Sequence, residues 1–143
     1  MHLVIDGFGG SAAKLQDLAL IYQTLDELPA KIGMTKIMPP YVFRYHGLKE
    51  QDWGISGFVL IAESHISVHT FPERGYVNID IFSCKAFDAE PAVRAMRETF
   101  DLAGVKVHII ERGLEYPTDA SALVATDRWS RFGVLAGAQA GTS

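Results

Sequence analysis

Residues 57–84 read GFVLIAESHISVHTFPERGYVNIDIFSC, and this stretch decides the fold. Two runs of apolar and β-branched residues, Phe58 to Ala62 and Ile66 to Thr70, are parted only by Glu63, Ser64 and His65. A third, Tyr76 to Phe82, follows the turn Pro72-Glu73-Arg74-Gly75. Composition and turn punctuation make each run a strand. The Glu63-Ser64 break is unusual, because a tight connection between apolar strands ordinarily carries Gly, Asn or Asp. Here a carboxylate is followed by a hydroxyl.

A side-chain period of two sorts these strands into faces. On the second strand His65, Ser67 and His69 point one way, and Ile66, Val68 and Thr70 the other. On the third, Val77, Ile79 and Ile81 form an apolar face opposite Tyr76, Asn78, Asp80, Phe82 and Cys84. Paired as a hairpin, the two strands collect hydroxyl, imidazole, carboxylate and thiol groups on one rigid surface. His65 and His69 are four apart, a zinc-chelating spacing on a helix. On a strand they span ~13 Å at roughly 3.3 Å per residue, too far for one ion, so no metal is expected.

Glu63-Ser64-His65-Ile66-Ser67-Val68-His69-Thr70-Phe71-Pro72-Glu73, with Asp80 and Ser83-Cys84, closely resembles the small prokaryotic pyruvoyl-dependent S-adenosylmethionine decarboxylases. The likeness covers roughly residues 2–115, is most specific over 56–84, includes Arg112-Gly113 and fades beyond. It implies a chain that cuts itself between Glu63 and Ser64, giving pieces 1–63 and 64–143, with Ser64 becoming an N-terminal pyruvoyl group. Ser56 and His69 match the processing pair, His69 as base. Cys84 matches the donor that returns a proton to the substrate carbon. Glu73 matches the family's glutamate that holds the ribose hydroxyls; Trp53, standing in for an aromatic this chain lacks, and Asp6 are the other expected substrate contacts.

The chemistry also follows from the groups. A serine hydroxyl beside a strained peptide can attack the preceding carbonyl and convert an amide to an ester, given a donor for the oxyanion. Removal of the Ser64 α-proton then expels Glu63 as a carboxylate, and the dehydroalanine left behind hydrolyses to a ketone and ammonia. His69 suits the base role because imidazole titrates near neutral pH. A ketone at that terminus can condense with an α-amine and act as an electron sink, as pyridoxal phosphate does. Taken singly, each residue has a plain structural reading: a buried small thiol, a turn serine, a strand histidine. Their order and spacing together carry the catalytic reading.

One position departs from the family pattern. The residue six before Ser56, an adenine-stacking aromatic in the family, is Glu50 here, and the nearest aromatics are Tyr45 and Trp53. The first alternative is therefore the same pyruvoyl chemistry on ornithine or arginine. A second is an uncleaved, non-catalytic regulatory relative. Sulfonium and ammonium groups both favour carboxylates and aromatic faces, so charge alone does not separate the substrates.

The remaining chain frames this centre. At 143 residues, 48% hydrophobic and 21% charged, it suits one domain with a substantial core. A net charge of −4 without a basic cluster argues against a nucleic-acid partner. Neither a signal peptide nor an eighteen-residue apolar run is present, and one cysteine excludes an internal disulfide. No membrane association and a cytoplasmic location are expected.

His2 to Asp6 reads as a strand. Gly7-Phe8-Gly9-Gly10 is a turn lacking the spacing and lysine of a phosphate loop. Ser11 caps a helix over residues 12–28, with Leu15, Leu18, Ala19, Tyr22, Leu25 and Leu28 as a core stripe ended near Pro29 and Gly33. Residues 34–38 and 41–45, split by Pro39-Pro40, read as a bent strand. His46 to Asp52 is a loop. Asp88 caps a second helix whose inner face carries Ala92, Val93, Met96 and Phe100 and which Gly104 stops. Val105 to Ile110 is a final strand. Residues 118–143 form an extension, weakly helical around Ala120 to Arg131 and then disordered, beyond a single domain over 1–117.

This order implies an α+β fold, a two-layer sandwich of a mostly antiparallel sheet with helices on one face. Its open face needs a cover, and the resemblance implies an αββα homodimer with active sites near the subunit interface.

Overall fold

Strands that are apolar on one face must bury it, and the helices carry the complementary stripes. The computed structural model describes residues 1–113. Along the chain lie β1 (His2–Phe8), α1 (Ala12–Leu15), α2 (Leu18–Lys31), β2 (Tyr41–His46), β3 (Trp53–Ile61), β4 (Ser64–Phe71), β5 (Tyr76–Ser83), α3 (Ala89–Phe100) and β6 (Gly104–Ile110). The strands form one sheet in the order β2-β3-β4-β5-β1-β6, with every neighbouring pair antiparallel. The architecture is the α+β layer expected from the sequence. The 118–143 extension and its expected helix lie outside the described residues.

The core fills the space between sheet and helices. Val77, Ile79 and Ile81 of β5, Ile66 and Val68 of β4, and Leu3 and Ile5 of β1 are fully buried against Ile21 and Leu25 of α2 and Ala92 and Phe100 of α3. Burial alternates along β5, so the face assignment made from period two holds. The opposite sheet face is left open, and Tyr41, Phe43, Phe58 and Leu60 remain exposed there.

The helical regions differ from the sequence reading. The single helix expected over 12–28 is two helices, because Asp17 caps anew: its carboxylate accepts from the Leu20 N–H at 3.0 Å. The break shifts the helical phase, so Ile21, Leu25 and Leu28 face the core while Leu18 and Tyr22 are exposed. Tyr22 is therefore a surface residue and not part of the core. Pro29 does not end α2, which runs to Lys31. Its missing N–H removes one ladder bond, that to the Leu25 carbonyl, two residues before the helix ends. Residues 34–38 contribute only a bridge from Lys36 to Ile61. α3 ends at Phe100, capped by Asp101 in the left-handed conformation at φ 53°, so Gly104 opens β6 instead of ending the helix.

Candidate active site

The β3–β4 hairpin turns through Ala62 and Glu63, with Ile61 and Ser64 facing each other. Two-residue hairpins favour turns with a positive φ within the loop, which suit Gly or Asn. Neither loop residue has one. The positive φ falls instead on Ser64, at 157°, one of two such non-glycine residues among those described.

Backbone contacts hold the Glu63-Ser64 peptide on both sides. The Glu63 carbonyl accepts a hydrogen bond from the Cys84 N–H at 3.0 Å. On the other side the Thr35 N–H donates to the Glu63 carboxylate at 3.1 Å, and the Ala62 N–H donates to the Thr35 carbonyl at 2.8 Å. The Ser64 hydroxyl lies 3.1 Å from His65 Nδ1. Ser83, paired with Ser64, is fully buried and ties its hydroxyl to the Lys85 backbone. That local bend ends β5 and leaves Cys84 exposed.

A second group lies further along the same strands. Ser56 and His69 pair across β3 and β4, with the hydroxyl 2.9 Å from His69 Nδ1. They sit in a cleft of about 560 Å³ whose walls include Phe43, Tyr45, Trp53 and Phe71. The Trp53 indole N–H donates to the Glu73 carboxylate at 3.2 Å, and Arg44 lies 5.4 Å from the indole ring. Glu50 is outside this cleft, beside Gln51 and Glu73 in a smaller hollow of about 240 Å³. Across β5 from His69 is Asn78, which faces Asp6 of β1. The Asp6 carboxylate accepts from the Tyr76 hydroxyl at 2.9 Å and the Asn78 amide at 2.7 Å. Partial burial, with that bond to Asp6, raises the Tyr76 phenol above its ordinary pKa.

The sequence-predicted residues thus fall into two clusters. Glu63, Ser64 and Cys84 meet at the turn. Ser56, His69, Trp53 and Glu73 gather at the aromatic cleft, with Asp6 in the same cross-strand row. Ser64 and His69 are five residues apart on β4, ~16 Å at roughly 3.3 Å per residue, so a single chain does not bring this hydroxyl and this imidazole together. Sequence reasoning missed the Thr35 and Cys84 backbone donors, which carry no signal because every non-proline residue has an N–H. It also missed the Ser64–His65 contact, since neighbours on a regular strand point to opposite faces.

A helix-backed antiparallel sheet that carries a serine hydrogen-bonded to its neighbouring histidine at a hairpin, a serine–histidine pair and an aromatic cleft defines a small α+β protein with its candidate site on the sheet. The S-adenosylmethionine decarboxylase family model matches residues 1–113. A Clostridium botulinum (strain Langeland) S-adenosylmethionine decarboxylase proenzyme is 37% identical over 113 residues, covering 78% of this chain and 92% of that protein. The proenzyme of the same name from Pyrococcus furiosus is 35% identical over 115 residues, with 80% and 78% covered. The crystal structure of the adenosylmethionine decarboxylase from Aquifex aeolicus VF5 superposes with a TM-score of 0.64 at 29% identity, covering 82% of this chain and 93% of that one. The chain belongs to the S-adenosylmethionine decarboxylase family.

Proposed function

We propose that this protein is a self-processing decarboxylase of S-adenosylmethionine, releasing the aminopropyl donor used in spermidine synthesis. The observation that carries the reading is the Glu63 carbonyl, held at 3.0 Å by the Cys84 N–H with the Ser64 hydroxyl on the adjoining residue. As the hydroxyl attacks, negative charge grows on that carbonyl oxygen, and a fixed donor already faces it. Ser64 is thereby the source of the covalent pyruvoyl cofactor. Its keto group supplies an electron sink for the bond to the departing carboxylate.

The other side chains take roles around that centre. Cys84, exposed at the end of β5, holds the proton that its Sγ returns to the substrate carbon. Trp53, Tyr45 and Phe43 offer aromatic faces to adenine or sulfonium in place of the family's aromatic at position 50. Glu73 suits the ribose hydroxyls, and Asp6 fixes the polar row beside His69.

The ~16 Å between Ser64 and His69 favours a homodimer, because a two-fold axis can set the Ser56–His69 pair of one copy against Ser64 of the other. There the partner's His69 removes the Ser64 α-proton. The exposed Tyr41, Phe43, Phe58 and Leu60 give the open sheet face an apolar surface for that pairing.

The hollow shared by Glu50 and Glu73 favours a second reading, in which the substrate ends in an ammonium or guanidinium, as ornithine and arginine do. Carbon dioxide release by the matured protein from S-adenosylmethionine, ornithine and arginine separates the readings. The first predicts turnover of S-adenosylmethionine at least tenfold above the other two. Preference for either amino acid would overturn it. Among the described residues, no helix is long and apolar enough to cross a membrane.

A further inference from the structure

We infer that His65 is a catalytic residue of the maturation step, the group that takes the proton from Ser64 as its hydroxyl attacks Glu63. The inference rests on the self-processing reading and gives His65 a role separate from that of His69. Among the described residues, the only side-chain hydrogen bond to Ser64 Oγ is with His65 Nδ1, at 3.1 Å.

Three features set this contact apart from incidental packing. Adjacent residues of a regular strand point to opposite faces, and this pair meets where Ser64 departs to φ 157° at the first position of β4. The imidazole lies edge-on to Phe82, with ring centroids 5.8 Å apart, and Phe82 carries the Arg112 guanidinium 3.9 Å from its ring, so the base is set against a fixed wall. The competing bases are engaged or distant: the Glu63 carboxylate accepts from the Thr35 N–H, and His69 is paired with Ser56 at the far end of the strand.

The step balances without a co-reactant. Ser64 Oγ forms a bond to the Glu63 carbonyl carbon and gives its proton to His65 Nδ1. The π electrons move to the carbonyl oxygen facing the Cys84 N–H. As they return, the bond from that carbon to the Ser64 nitrogen breaks, and the imidazolium gives its proton to the leaving amine. An ester and a free amine result, and neutral His65 is restored. Only afterwards is the α-proton removed, so loss of His65 and loss of His69 must stop the chain at different species.

Freshly made full-length wild type, His65→Ala and His69→Ala are compared by intact mass over time, each with and without neutral hydroxylamine, which cleaves esters and spares amides. Circular dichroism and thermal unfolding check the fold. Wild type splits. His69→Ala is expected to stop as the ester and be cut by hydroxylamine between residues 63 and 64. His65→Ala is expected to persist as the amide, resistant to hydroxylamine, with processing slowed about 100-fold or more, the usual scale of general-base catalysis. If His65→Ala does not fold, His65→Gln carries the same expectations. Processing of the folded His65 variant at the wild-type rate, or its accumulation as a hydroxylamine-sensitive ester, overturns the inference. A folded wild type that never splits overturns the processing reading itself, and the inference with it.

Discussion

Thr70 is a hydroxyl on a strand face otherwise made of Ile66 and Val68, and it is almost wholly buried. Its Oγ1 accepts from the Ile55 N–H at 2.9 Å, just beyond the last paired residues, Ser56 and His69, and so anchors the strand ends that present them. Thr70→Val keeps the shape and leaves that N–H without a partner. It should cost about 1–3 kcal/mol in chemical denaturation, and Thr70→Ser should retain most of the stability. Gly54 is fixed by the same junction, since a Cβ there would stand 1.8 Å from the Thr70 carbonyl oxygen. Much at this scale was legible from the period of two alone, including the buried Val77, Ile79 and Ile81 and the open-face His69, Asn78 and Asp80. What period two does not encode is a contact made by one turned residue, as at Ser64 and His65, or a backbone donor such as the Cys84 N–H. Both depend on where distant strands place their main chain.

Among the elements, the three central strands and their turns were readable because β-branched runs, Pro72 and Gly75 mark them locally. The first helix was misread for a local reason as well: Ser11 and Asp17 are both good caps, and an unbroken stripe through Leu18 and Tyr22 hid the second start. Asp17→Ala should therefore lower stability by about 1 kcal/mol, read as a shifted denaturation midpoint. A value near zero would mean that α2 starts independently of that cap. Helix α3 kept its expected cap, Asp88, and most of its buried face, although Val93 is only partly covered. The bridge at Lys36 was not legible as such, since residues 34–38 resemble a strand in composition but mainly clasp the β3–β4 turn through Thr35.

In the whole molecule the turn residues and the cleft residues stand at separate places on one sheet, a distance already implied by the strand rise over the five residues from Ser64 to His69. A shared site predicts complementation in trans. Ser64→Ala and His69→Ala chains, each uncut at the pyruvoyl stage alone, should on co-expression yield a cleaved His69→Ala chain, whose serine is served by the intact histidine of its neighbour. No cleavage in a verified mixed dimer would argue against the shared arrangement. The proposed self-cleavage comes before any substrate in the reaction order, and mass spectrometry of the purified, folded protein reads it without one. Two polypeptides divided between Glu63 and Ser64 are expected, the second bearing a ketone in place of its amino end, with a single undivided chain from Ser64→Ala. A well-folded wild-type chain that stays whole, with no carbonyl captured by hydrazine, would contradict it.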